Sequence, residues 1–112
     1  MDYTYTDEGL FLALTKNNRV IASRKNTDIS YLNVTGQETW EKAETIDVFN
    51  GNIYLTDTQE GQVYKHKPGI NGYSQKSPVL PVAIPHIQEV HIDGGFYIVS
   101  DGGKIWRIMT VK

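Results

Sequence analysis

The chain has 112 residues, 39% of them hydrophobic and 21% charged, with a formal net charge of −2, which is the composition of a soluble globular protein of one domain. The charges are dispersed rather than gathered into a basic stripe, which argues against a nucleic-acid partner, since neutralising a phosphate backbone needs clustered Lys and Arg. There is no cysteine, so disulfides and thiolate metal sites are excluded, while either a reducing or an oxidising compartment is compatible. No window approaches the roughly eighteen apolar residues that a membrane-crossing helix needs. Met1 to Glu8 offers neither a basic leader nor an apolar stretch, so no signal peptide is expected.

Taken in chain order, the predicted elements are short strands separated by turn residues. The first group reads Tyr3-Thr4-Tyr5-Thr6, a turn at Asp7-Glu8-Gly9, a strand Leu10-Phe11-Leu12-Ala13-Leu14, a turn at Lys16-Asn17-Asn18, and a strand Arg19-Val20-Ile21-Ala22-Ser23. After it, residues 29–34 can form a fourth, outer strand. The second group is the clearest: Thr45-Ile46-Asp47-Val48-Phe49, a turn at Asn50-Gly51-Asn52, then Ile53-Tyr54-Leu55-Thr56-Asp57, a turn through Glu60-Gly61, then Gln62-Val63-Tyr64-Lys65-His66. Residues 77–83 follow as its outer strand. Pro78, Pro81 and Pro85 belong there on an edge or in a connection, because proline cannot donate to a ladder. The third group reads Glu89-Val90-His91-Ile92, a turn at Asp93-Gly94-Gly95, Phe96-Tyr97-Ile98-Val99-Ser100, a turn at Asp101-Gly102-Gly103, and Lys104-Ile105-Trp106-Arg107-Ile108. Too little chain remains after it for an outer strand, which leaves about eleven strands.

These groups are one pattern repeated. The first-turn glycines Gly9, Gly51 and Gly94 are spaced by 42 and 43 residues, and the third-strand residues Val20, Val63 and Ile105 by 43 and 42. Two independent landmarks therefore agree to one residue. A period of that length marks a stacked or radial architecture, with repeats at about 1–43, 44–86 and 87–112 in a single all-β domain. The Gly and Asn/Asp positions supply the left-handed backbone that tight hairpins need. Runs such as Phe96-Tyr97-Ile98-Val99 suit a sheet packed on both faces better than one with a wet side.

Asn50-Gly51-Asn52-Ile53-Tyr54-Leu55-Thr56-Asp57 followed by Gly61-Gln62-Val63-Tyr64-Lys65 resembles the NHL-type β-propeller repeat found among bacterial propellers. The third group resembles it through Asp93 to Val99 and Lys104 to Arg107, and the first departs from it because no Asp follows Leu14 and Thr15. The resemblance implies a disc of blades around a channel, usually four to eight of them. Three blades do not close a ring. Pairing of the chain with itself as a homodimer, or membership of a larger propeller, is therefore expected.

The residue types that carry chemistry give little beyond this. His66, His86 and His91 are too scattered for a local metal motif, so no metal and no cofactor are expected. Asp47, Asp57, Asp93 and Asp101 sit at strand ends, where turn chemistry is their expected role. No Gly-x-Ser-x-Gly elbow, phosphate loop or cysteine nucleophile is present, so no catalytic residue is named. Asn33-Val34-Thr35 matches a glycosylation sequon, a pattern that often occurs by chance. Tyr54 and Tyr97, and likewise Tyr64 and Trp106, are equivalent between repeats and read as core. Tyr31, Trp40 and Tyr73 lie in connecting segments and are the candidate ligand-binding residues, because Tyr and Trp offer a flat apolar face with a polar handle. The expected function is a non-catalytic interaction module that binds a protein or carbohydrate partner. A propeller lactonase or hydrolase assembled across chains, or a portion of a larger sensor or secreted propeller protein, is the alternative.

Overall fold

The computed structural model describes residues 3–5, 10–24, 29–70, 72–80, 83–84, 87–93, 96–101 and 104–109. It is all-β: β1 Tyr3–Tyr5, β2 Leu10–Leu14, β3 Val20–Arg24, β4 Ser30–Tyr31, β5 Ala43–Phe49, β6 Asn52–Asp57, β7 Gln62–His66, β8 Pro68–Gly69, β9 Gly72–Tyr73, β10 Ser77–Pro78, β11 Ile87–Asp93, β12 Phe96–Asp101 and β13 Lys104–Met109. A single 3₁₀ turn at Gln37–Thr39 is the only helix among the described residues. No helix in that set is long and apolar enough to cross a membrane.

Three antiparallel sheets hold eleven of the strands, in the orders β1-β2-β3-β4, β5-β6-β7-β10 and β11-β12-β13. They correspond to the three sequence groups, and among the described residues the third has no fourth strand. The sheets are open rather than closed on themselves. The outer strands are shorter than the sequence suggests, two residues each where runs of 29–34 and 77–83 were expected. The first is held by pairing of Ile21 with Tyr31 and Ala22 with Ser30. The second is held partly by a side chain: the Gln62 amide accepts from Leu80 N at 2.9 Å and donates to Leu80 O at 3.3 Å. That amide does the work of a strand beside a proline-interrupted segment. β8 and β9 form a separate small hairpin in the connection between β7 and β10.

The β5–β6 turn shows how local sequence sets register. Phe49 faces Asn52, leaving Asn50 and Gly51 as a two-residue loop with φ of 51° and 78°. Asn-Gly favours the turn type with both central residues left-handed, whose twist matches that of the strands. The first strands of the second and third sheets share a further feature. Pairing shifts register between Ala43 and Thr45 in β5 and between Ile87 and Glu89 in β11. In both, the residue opposite the aspartate that ends the middle strand, Asp57 or Asp101, is followed by the irregularity. The repeat therefore extends to a backbone irregularity that no sequence pattern announces.

The middle sheet is covered on both faces. Ile46, Ile53 and Leu55 join Leu12, Leu14, Val20, Ala22, Val34 and Trp40 in one buried cluster between the first and second sheets. Tyr54 and Val63 join Leu80, Ile87 and Val90 in another between the second and third. β6 is consequently buried from Ile53 to Asp57 without alternation, because even and odd side chains both meet a neighbouring sheet. The edge strand of that sheet, β5, lies beside β1 and β11, the corresponding strands of its neighbours.

Candidate functional site

Antiparallel order places the β2–β3 turn and the connection leaving β4 at the same end of the first sheet. The turn is built by Thr15 and Asn18. Thr15 Oγ1 accepts from the backbone N–H groups of Asn17 and Arg19 at 3.3 and 3.2 Å. Asn18 takes φ of 58°, a left-handed conformation that Asn tolerates. Its amide then reaches the connection: Nδ2 donates to the carbonyls of Trp40 and Glu41 at 3.2 and 3.4 Å, and Oδ1 accepts from Ala43 N at 3.1 Å.

From the other side the same stretch is held by Asp57. This buried carboxylate accepts from Glu41 N at 2.8 Å and from Lys42 N, Gln59 N and Glu60 N at 3.1, 3.1 and 3.2 Å. Four backbone donors compensate the cost of removing an acidic side chain from water. Asp57 thus does the turn chemistry its strand-end position suggests. The side chains of Asp93 and Asp101 lie outside the described residues.

Between the β2–β3 turn and the 3₁₀ turn a cleft of about 410 Å³ opens, lined by Asn17, Asn18, Arg19, Gln37, Glu38 and Trp40. Three of its residues contribute buried polar atoms with no hydrogen-bond partner: Arg19 Nε, Gln37 Oε1 and Trp40 Nε1. A buried polar atom left unpaired costs about 1–3 kcal/mol. These three residues therefore line the cleft and also carry unsatisfied hydrogen-bonding capacity in the wall behind it. The volume lies within the range of ligand sites.

The three sequence-predicted residues have different fates. Trp40 lines this cleft but is only 5% exposed, too little to offer a ring face. Its ring packs in the core and meets His66 edge-on at 5.5 Å. Tyr31 is 65% exposed and carries the Arg19 guanidinium over its ring at 4.3 Å, which ties it to the cleft through a cation–π contact. Tyr73 is elsewhere, half-buried against the core. Its backbone pairs with Asn33 O at 2.8 Å and Thr35 N at 3.0 Å beside a separate hollow of about 210 Å³. Arg19, Gln37 and Asn18 were not singled out by sequence, although Asn18 beside a strand is the kind of turn residue that could have been followed further.

Of the histidines, His66 is fully buried, with Nδ1 2.6 Å from the Ser74 carbonyl. Nδ1 must therefore carry the proton, leaving the buried Nε2 as an unpartnered acceptor. Burial pushes its pKa below the ordinary value, with nearby Lys76 adding in the same direction and the Ser74 bond opposing. His86 and the side chain of His91 lie outside the described residues. Among the described residues no three His, Cys, Asp or Glu side chains converge as a metal site would require. No protein-family model matches the sequence, and no curated protein is recognisably similar to it.

Proposed function

We propose that the chain is a non-catalytic interaction module of the NHL-like β-propeller type, and that it binds a segment of a protein partner at the cleft between Asn17–Arg19 and Gln37–Trp40. The radial reading is supported by the stacking of three equivalent meanders with β5 beside both β1 and β11, as inner strands lie around a channel. The observation that carries the binding site is that Arg19, Gln37 and Trp40, which line one opening, each also carry a buried polar atom without a hydrogen-bond partner. Arginine beside aromatic residues is the composition of interface hot spots. A protein partner is favoured over a carbohydrate because ring faces are scarce there. Trp40 spends its faces on the core, and the guanidinium covers one side of Tyr31.

Selection of a random peptide library on the immobilised protein tests this directly. Selected peptides should bind Arg19→Ala and Gln37→Ala at least about ten-fold more weakly, equivalent to about 1.4 kcal/mol each, with Lys65→Ala as a control on a different sheet. Peptides that bind the variants and the parent equally would remove the cleft from the proposal. Signal on a glycan array that disappears with Arg19→Ala, and no selected peptide, would replace the protein partner by a carbohydrate.

A further inference from the structure

The outward side of the first sheet carries an uncovered aromatic group. Tyr3 and Tyr5 are each 62% exposed, and both rings pack on Phe11, at 5.7 and 5.3 Å between centroids. Register identifies what this surface is. Tyr3 lies opposite Ala13 and Tyr5 opposite Phe11, as Ile46 lies opposite Leu55 and Val48 opposite Ile53 in the second sheet. The Tyr3, Tyr5 and Phe11 surface is thus the counterpart of the side of the second sheet that receives Leu12, Leu14, Val20 and Ala22. On the second sheet that side is covered by the first; on the first sheet, among the described residues, Tyr3 and Tyr5 leave it exposed.

The opposite end of the stack has the complementary loose side. In the third sheet, Val90 and Ile92 point toward the second sheet and are packed there. Position 106 is in register with 99, and 99 with 90, so Ile105, one residue away, belongs to the other side of the pleat. Ile105 is 77% exposed. Each sheet therefore has two unlike sides, and the contact between them is made twice within the chain in the same sense. One side of each kind is left over, one at each end.

We propose that the occupant is a second copy of this chain: the Ile105 side of its third sheet packs on Tyr3, Tyr5 and Phe11, and the reciprocal contact closes a two-fold ring of six sheets. A head-to-tail contact closes when its rotation allows and otherwise grows without end. The continuity of the repeated sheet contact picks a second copy over an unrelated partner, because the chain itself supplies the matching side. This inference rests on the radial reading but uses a surface distinct from the cleft.

Sedimentation equilibrium of the parent and of Tyr5→Glu and Ile105→Glu tests it, with folding of each variant checked by amide dispersion in NMR. The expected result is a dimer whose dissociation constant rises at least ten-fold in each variant, while Arg19→Ala keeps the parental mass. An equimolar mixture of the two variants keeps one parental contact in each mixed pair, so it should dimerise more tightly than either alone. A parental chain that is monomeric at about 100 μM, well above the Kd of a specific pair, overturns the pairing, as does a dimer indifferent to both substitutions. An open-ended polymer overturns ring closure. A monomer that still binds selected peptides at the cleft would overturn this inference and leave the binding module standing.

Discussion

Asn18 and Asp57 grip the same stretch of backbone from two different sheets: Asn18 holds Trp40, Glu41 and Ala43, and Asp57 holds Glu41 and Lys42. The entry to β5 is therefore fixed by side chains as well as by backbone pairing of Lys42 and Ala43 with β6 and the residue after it. Its first residue, Trp40, lines the cleft together with Asn18 itself.

Asp57→Asn should lower the unfolding free energy by about 1.5–3 kcal/mol, the scale of hydrogen bonds to a charged group. Its amide nitrogen would face backbone donors that the carboxylate accepts. Urea denaturation measures this, and a loss below about 0.5 kcal/mol would show that the four bonds are not what holds the turn.

Asn18→Ala and Asn18→Gly separate two contributions at the other grip. Both remove the bonds to Trp40, Glu41 and Ala43, but only Ala also pays for a left-handed backbone, about 1–2 kcal/mol. The Gly variant should be the more stable of the two in denaturant melts, and both should fall below the parent.

Gly61 and Gly51 make a matched pair for close approach. Both have positive φ, 66° and 78°. A Cβ on Gly51 meets nothing within 4 Å, whereas one on Gly61 would lie 2.5 Å from the Ile84 carbonyl oxygen, and that segment accepts no compression because Ile84 N donates to Gly61 O at 2.8 Å. Gly51→Ala should cost about 1–2 kcal/mol from conformation alone, and Gly61→Ala clearly more. Equal losses would mean the β10–β11 connection yields easily.

His66 gives the protein a pH dependence of definite sign. Its folded pKa lies below the ordinary 6.5, so as pH falls below about 6.5 the unfolded chain takes up a proton that the folded ring refuses. Stability from this group is complete above pH 6.5 and declines as pH drops toward the folded pKa, by at most about 1.4 kcal/mol per pH unit. His66→Phe should flatten the profile between pH 5 and 7 relative to the parent. An unchanged slope would assign the effect to other groups.

Much of the sheet pairing was legible because it depends on local chemistry. Asn50-Gly51 can hardly make anything but a tight hairpin, and the spacing of Val20 and Val63 follows from strands of constant length. The 3₁₀ turn, the two-residue strands β8 and β9 and the burial of Trp40 were not legible. None has a periodicity, and Trp40 is buried by a neighbouring sheet that joins it only in three dimensions. The cleft was hidden for the same reason: Arg19 and Gln37 are brought together only because the β2–β3 turn and the connection leaving β4 lie at the same end of the first sheet. Thr15 offers a subtler case. It stands where the second group has Asp57, and its hydroxyl accepts two bonds within its turn as Asp57 does from Gln59 and Glu60, so the missing Asp signals the loss of the further tie that Asp57 makes to Glu41 and Lys42 rather than a missing turn.

The two-sided burial of β6 bears on how the chain comes apart. Among the described residues of one chain, each outer sheet packs only on the middle one, so within that chain losing the middle sheet leaves each of the others with the apolar side it buried there in water. Sheet-by-sheet melting is thereby penalised, and the amides of Ile53 to Leu55 should exchange with solvent only through opening of the whole chain.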